Sequence, residues 1–209
     1  MKPSISSIDL IESLPLMEAF YTIQGEGAHS GKSAYFIRLG GCDVGCVWCD
    51  VKDSWDAEAH PKVEIDNIIL NTIASKAPMV VVTGGEPLMY DLGVLTQALA
   101  QANLKRHIET AGVYALSGEW EWICFSPKKF KKPLSEFYEK SHELKIVIYN
   151  KSDFAWAESH AEQCHDGMEL FLQAEWSKKD QITPLIVEYV KNNPKWRISV
   201  QTHKYMNIP

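Results

Sequence analysis

The chain has 209 residues, of which 45% are hydrophobic and 23% charged, so it can bury roughly 70–75% of its unfolded surface without disulfide help. Its formal charge of −6 excludes a protein that grips nucleic acid by blanket phosphate attraction. No apolar run approaches the ~20 residues of a membrane span and the polar start does not read as a signal peptide, so we expect a soluble protein of the cytoplasm without membrane or nucleic-acid partners.

Residues 1–15 read as a loosely held lead-in. Leu16 to Ile23 and Ser33 to Leu39 read as strands, joined through the turn Gln24-Gly25-Glu26-Gly27. Residues 40–56 follow no period and read as a loop. A helix follows around Glu64–Ser75, its Ile65, Ile68, Ile69, Thr72 and Ile73 spaced for one apolar face. The continuous run from Pro78 to Val82 is a strand buried on both faces. It ends in Thr83-Gly84-Gly85-Glu86-Pro87, and a second helix follows near Asp91–Ala102. Further strands are expected at Lys105–Glu109, Trp120–Phe125, Glu143–Ile148, Glu169–Gln173 and Trp196–Gln201, with helices at Ser152–Cys164 and Lys179–Asn192. Thr183 is a candidate cap for that last helix, with Pro184 at its first position. No internal repeat interrupts the pattern, so we expect one α/β domain over 1–209 with a largely parallel sheet and ligands at the carboxyl ends of its strands.

An odd count of five cysteines argues against a disulfide framework, and three of them form the pattern Cys42-x3-Cys46-x2-Cys49. Structural zinc usually takes four protein ligands, so three thiolates leave an iron–sulfur cluster with an open position. A zinc site completed by His29 or an aspartate, or three cysteines buried without function, are the alternatives. Cys124 and Cys164 sit in apolar patterns and read as core. The run Lys128, Lys129, Lys131, Lys132 reads as a solvated loop apart from Lys128, and His107, His142, His160 and His165 show no ligand spacing.

The cysteine pattern resembles the cluster motif of the radical S-adenosylmethionine (SAM) superfamily, and Gly84-Gly85-Glu86-Pro87 resembles that superfamily's Gly-Gly-Glu turn. A narrower resemblance, to the 7-carboxy-7-deazaguanine synthase family, rests on Phe20-Tyr21-Thr22-Ile23-Gln24-Gly25-Glu26-Gly27, on Phe36-Ile37-Arg38-Leu39 and on Arg197-Ile198-Ser199-Val200-Gln201-Thr202-His203-Lys204. It implies an abbreviated, open TIM-like barrel, a homodimer, and conversion of 6-carboxy-5,6,7,8-tetrahydropterin to 7-carboxy-7-deazaguanine and ammonia in queuosine biosynthesis. It also implies a [4Fe–4S] cluster on Cys42, Cys46 and Cys49, a regenerated SAM, and an electron donor such as flavodoxin or ferredoxin. Ile23, Gln24, Gly25, Arg38, Thr83, His203 and Pro209 are the implied pterin contacts. Trp48, Cys49, Asp50, Gly85, Glu86, Ser126, Pro127, Lys128, Gln173, Ala174, Glu175 and Trp176 are the implied SAM contacts. The family also binds Mg²⁺ through a Thr or Ser after its Cys-Asp pair. Here Val51 stands there, so substrate carboxylate with waters would have to serve, or Asp50 or Asp53 substitute, or the metal be dispensable; a weaker need for Mg²⁺ is expected. A glycyl-radical activating enzyme and an iron–sulfur electron carrier are the competing readings.

Overall fold

The computed structural model describes residues 12–209. They build a nine-stranded sheet in the order β3-β1-β2-β4-β5-β6-β7-β8-β9. Strand β1 (Ser13–Ile23) lies antiparallel to β2 (Ser33–Leu39) and to the short β3 (Lys62–Glu64). From β2 onward every neighbour is parallel, through β4 (Met79–Gly84), β5 (Lys105–Thr110), β6 (Trp122–Phe125), β7 (Glu143–Ile148), β8 (Glu169–Ala174) and β9 (Trp196–Ser199). The sheet does not close: β3 and β9 are its ends. This is the open, partial TIM-like barrel that the resemblance implies. Helices α1 (Ile65–Ser75), α2 (Gly93–Gln101), α3 (Glu136–Lys140), α4 (Asp153–Ala161), α5 (Lys179–Asn192) and α6 (Thr202–Met206) complete the chain.

Alternation along the strands separates two environments. Val80, Val82, Ile108, Leu144, Ile146, Ile148 and Leu172 face the main apolar core, together with Leu95 and Leu99 of α2 and Ile182 and Ile186 of α5. The other face of the same strands turns inward and is partly polar: His107 and Glu109 on β5, Glu143 and Lys145 on β7, Gln173 on β8. A strand buried on both faces is normally apolar throughout, so this inner row has a purpose other than packing.

Three expectations need correction. Residues 1–11 of the expected lead-in lie outside the described residues, but Ser13–Pro15 belong to β1 and pair with Glu64, Val63 and Lys62 of β3. Thr183 does not cap a helix: α5 begins at Lys179 and carries Pro184 inside it. The helix starts earlier because the Glu175 carboxylate accepts from the Ser177 N–H and organises the turn that feeds it. Elements β3, α3 and α6 were not expected, being three to five residues long and too short to show a period.

Candidate active site

A cavity of about 380 Å³ opens at the carboxyl ends of the parallel strands. Three free cysteines, Cys42, Cys46 and Cys49, reach it from the loop after β2. The Cys49 N–H bonds to the Cys46 carbonyl at 3.0 Å and the Val51 N–H points at Cys49 Sγ at 3.4 Å, so the loop wraps its own sulfurs. Burial pushes the Cys42 thiol up and the Cys46 thiol up to about 11, so a metal group that binds these sulfurs must displace their protons. Among the described residues, no three His, Cys, Asp or Glu side chains converge as for a single metal ion. His29, the expected completing ligand of the zinc alternative, does not line this cavity. Neither Cys124 nor Cys164 lines this cavity, so among the described residues no fourth cysteine completes the set.

The glycine turn sits against the cluster loop. A Cβ on Gly85 would collide with the Gly41 carbonyl, and Gly85 and Glu86 donate their N–H groups to the Leu39 and Gly41 carbonyls at 2.9 Å each. Glu86 lines the cavity from this turn and also braces it. It is 1% exposed and accepts from Thr110 Oγ1 at 2.6 Å, the Ala111 N–H at 2.7 Å and the Leu88 N–H at 3.1 Å, which ties β4 to β5.

Of the residues implied by resemblance, all but one line this cavity. Ile23, Gln24 and Gly25 reach it from the β1–β2 turn, Arg38 and Thr83 from paired positions on β2 and β4, and His203 and Pro209 from the last segment. Trp48, Asp50, Gly85, Ser126, Lys128, Gln173, Ala174, Glu175 and Trp176 line it too, as does Val51. Pro127 does not, although its neighbours Ser126 and Lys128 do. Arg38 Nε donates to Glu18 Oε1 at 2.6 Å, which leaves its terminal nitrogens available for a carboxylate. Lys128, where burial disfavours the charge and lowers the pKa, bonds to both oxygens of Ser126.

The cavity floor adds Lys145 and Glu109, which the motifs do not mention, to Gln24, Glu26 and Gln201, which they do. Lys145 Nζ bonds to Glu26 Oε2 at 2.5 Å and to Glu109 Oε2 at 3.1 Å, with its own side chain 4% exposed. Gln24 Nε2 donates to Glu109 Oε1 at 2.9 Å and Gln201 Nε2 to Glu26 Oε1 at 2.9 Å. Burial alone would raise the Glu26 pKa, but Lys145's charge and hydrogen bonds from Lys145 and Gln201 hold it at about 2. The signal was present as Glu143-x-Lys145, a period-two pair of charges inside a buried strand.

The last segment shuts the open side of the barrel. The Gly25 carbonyl accepts from both the N–H and Oγ1 of Thr202 at 3.0 Å, and the Gly27 N–H donates to Ser199 Oγ at 3.0 Å. A Cβ on Gly25 would strike the His203 imidazole, so glycine there lets α6 lie against the β1–β2 turn.

Comparison with known proteins agrees with this geometry. Residues 36–124 match the model of the Radical SAM superfamily. The chain is 61% identical to a 7-carboxy-7-deazaguanine synthase of Flavobacterium psychrophilum, over 95% of this chain and 94% of that protein. It is 43% identical to one of Synechocystis, over 95% of each. The crystal structure of QueE from Escherichia coli superposes with a TM-score of 0.80 at 31% identity, covering 90% of this chain and 93% of that one. Among the described residues, no helix is long and apolar enough to cross a membrane. The chain belongs to the 7-carboxy-7-deazaguanine synthase family of radical SAM enzymes, lyases of queuosine biosynthesis.

Proposed function

We propose that this chain, as a single domain, converts 6-carboxy-5,6,7,8-tetrahydropterin to 7-carboxy-7-deazaguanine with loss of ammonia. Membership in the family implies a [4Fe–4S] cluster and SAM. When bound, that pair supplies the hydrogen-abstracting radical chemistry. The observation that carries the reading is the convergence of three free cysteines, the Gly84-Gly85 turn and an arginine with free nitrogens on one cavity.

The protein's part is to hold, orient and shield. Cys42, Cys46 and Cys49 grip the cluster, and Trp48, Gly85, Ser126, Lys128 and the stretch from Gln173 to Trp176 surround SAM. Arg38 pairs with the pterin carboxylate through its terminal nitrogens, a match of planar fork to carboxylate. Gln24 and Thr83 fix the ring, over a floor that Lys145 keeps charged and rigid. Helix α6 and His203, whose pKa burial lowers, keep water from entering between β9 and β1. The enzyme works in the cytoplasm as a homodimer and takes its electron from a flavodoxin or ferredoxin. Anaerobic incubation of reconstituted enzyme with the carboxytetrahydropterin, SAM and dithionite, followed by mass analysis, tests the reading. The deazaguanine with SAM undiminished is the expected result. SAM cleavage that requires a partner protein and ignores the pterin would instead indicate a glycyl-radical activating enzyme.

A further inference from the structure

The residues around position 51 do not fit a magnesium site. Mg²⁺ asks for six oxygens in near-octahedral array. Val51 offers none from its side chain, Asp53 does not line the cavity, and Ser54, 1% exposed, turns its hydroxyl to donate to the Val51 carbonyl at 2.7 Å. The remaining carboxylate on this part of the cavity wall, that of Asp50, already has a cation: Lys204 Nζ donates to Asp50 Oδ2 at 2.5 Å across 154 residues of sequence.

Lys204 is placed as a ligand-binding group. It lines the same cavity as Arg38. Its backbone is fixed, because Thr202 anchors the start of α6 to the Gly25 carbonyl through two hydrogen bonds. The Trp176 ring lies 5.1 Å from Nζ and limits where the ammonium can go. An ammonium has three N–H donors, and Asp50 takes one.

We propose that Lys204 stands where a divalent cation would otherwise be needed: its ammonium, together with Arg38, receives the carboxylate of the substrate. The proposal rests on the pterin reading above. A cation built into the chain cannot be chelated away, so substrate binding by this enzyme is indifferent to EDTA.

The test is equilibrium binding, read by fluorescence quenching of 6-carboxypterin, an oxidised analogue, on the reconstituted SAM-bound enzyme. Wild type binds it equally in EDTA and in millimolar Mg²⁺. Lys204→Met weakens it about 10–100-fold, the worth of a charge-assisted hydrogen bond. Lys204→Arg retains most of the affinity, and a pterin without the carboxylate binds wild type and Lys204→Met alike. Magnesium-dependent affinity in wild type overturns the proposal, and so does an unchanged affinity in Lys204→Met. Equal loss of both pterins in that variant assigns the lysine a structural role and overturns it too. If wild type binds neither pterin, the substrate reading itself fails, and this inference with it.

Discussion

Replacing Lys145 by Met tests the floor of the cavity. The lysine ammonium is buried between two carboxylates, with side-chain exposures of 4% for Lys145, 15% for Glu26 and 23% for Glu109. Removing one partner of a buried ion pair leaves uncompensated charge and costs about 3–5 kcal/mol. The same lysine holds the buried Glu26 carboxyl well below the ordinary carboxylate range, so the pair's contribution depends on pH. For a chain of this length the loss corresponds to a fall in melting temperature of about 6–20 °C. Urea unfolding of the reconstituted enzyme as a function of pH reads both size and sign. Because the folded pKa of Glu26 is depressed, its contribution is complete above about pH 5 and disappears as pH falls through about 2. The gap between wild type and Lys145→Met is therefore widest near neutrality and narrows in acid. Adding Glu26→Gln to the variant recovers part of the loss. A gap below about 1 kcal/mol at pH 7, or one that widens in acid, would refute the electrostatic account.

Other substitutions probe single contacts. Gly85→Ala drives a Cβ into the Gly41 carbonyl, so it should lower iron retention at least several-fold while circular dichroism stays native; full iron content would contradict the close approach. Glu86→Ala strands the Ala111 and Leu88 N–H groups, and a destabilisation of about 2–4 kcal/mol by urea titration is expected. Gly25→Ala displaces His203 and should raise KM for the pterin about tenfold or more with little change in melting temperature, which steady-state kinetics and calorimetry measure together. Arg38→Lys loses the planar fork and is expected to cost roughly tenfold in kcat/KM.

Much of this site was readable because its chemistry is local. Cys42, Cys46 and Cys49 share one loop, and Gly84-Gly85 follows a strand whose apolar run is unambiguous, so spacing and period carried those assignments. The strand ends were legible for the same reason: β4 announces itself by Met79-Val80-Val81-Val82, and Arg38 and Thr83 then fall at paired positions. The floor was not. Glu26 and Lys145 are 119 residues apart and Asp50 and Lys204 are 154 apart, so neither pairing shows until the barrel brings the partners together. Glu86 was legible only in part. Its motif suggests a ligand contact, but nothing local shows that three donors from β5 and the turn also bond to its carboxylate. Pro184 misled because helix-start rules assume a solvated first turn, whereas Ile182 and Ile186 pack α5 into the core on both sides of the proline.

The account stands most directly on what the three loop cysteines hold. Iron analysis of anaerobically reconstituted enzyme, with the electron paramagnetic resonance spectrum of its reduced form taken before and after adding SAM, measures this in one preparation. The account predicts about four irons per chain, a spectrum that shifts when SAM binds, and loss of both on replacing Cys42, Cys46 or Cys49 by Ala. A chain that takes up zinc instead of iron, or a reduced cluster whose spectrum ignores SAM, would contradict it.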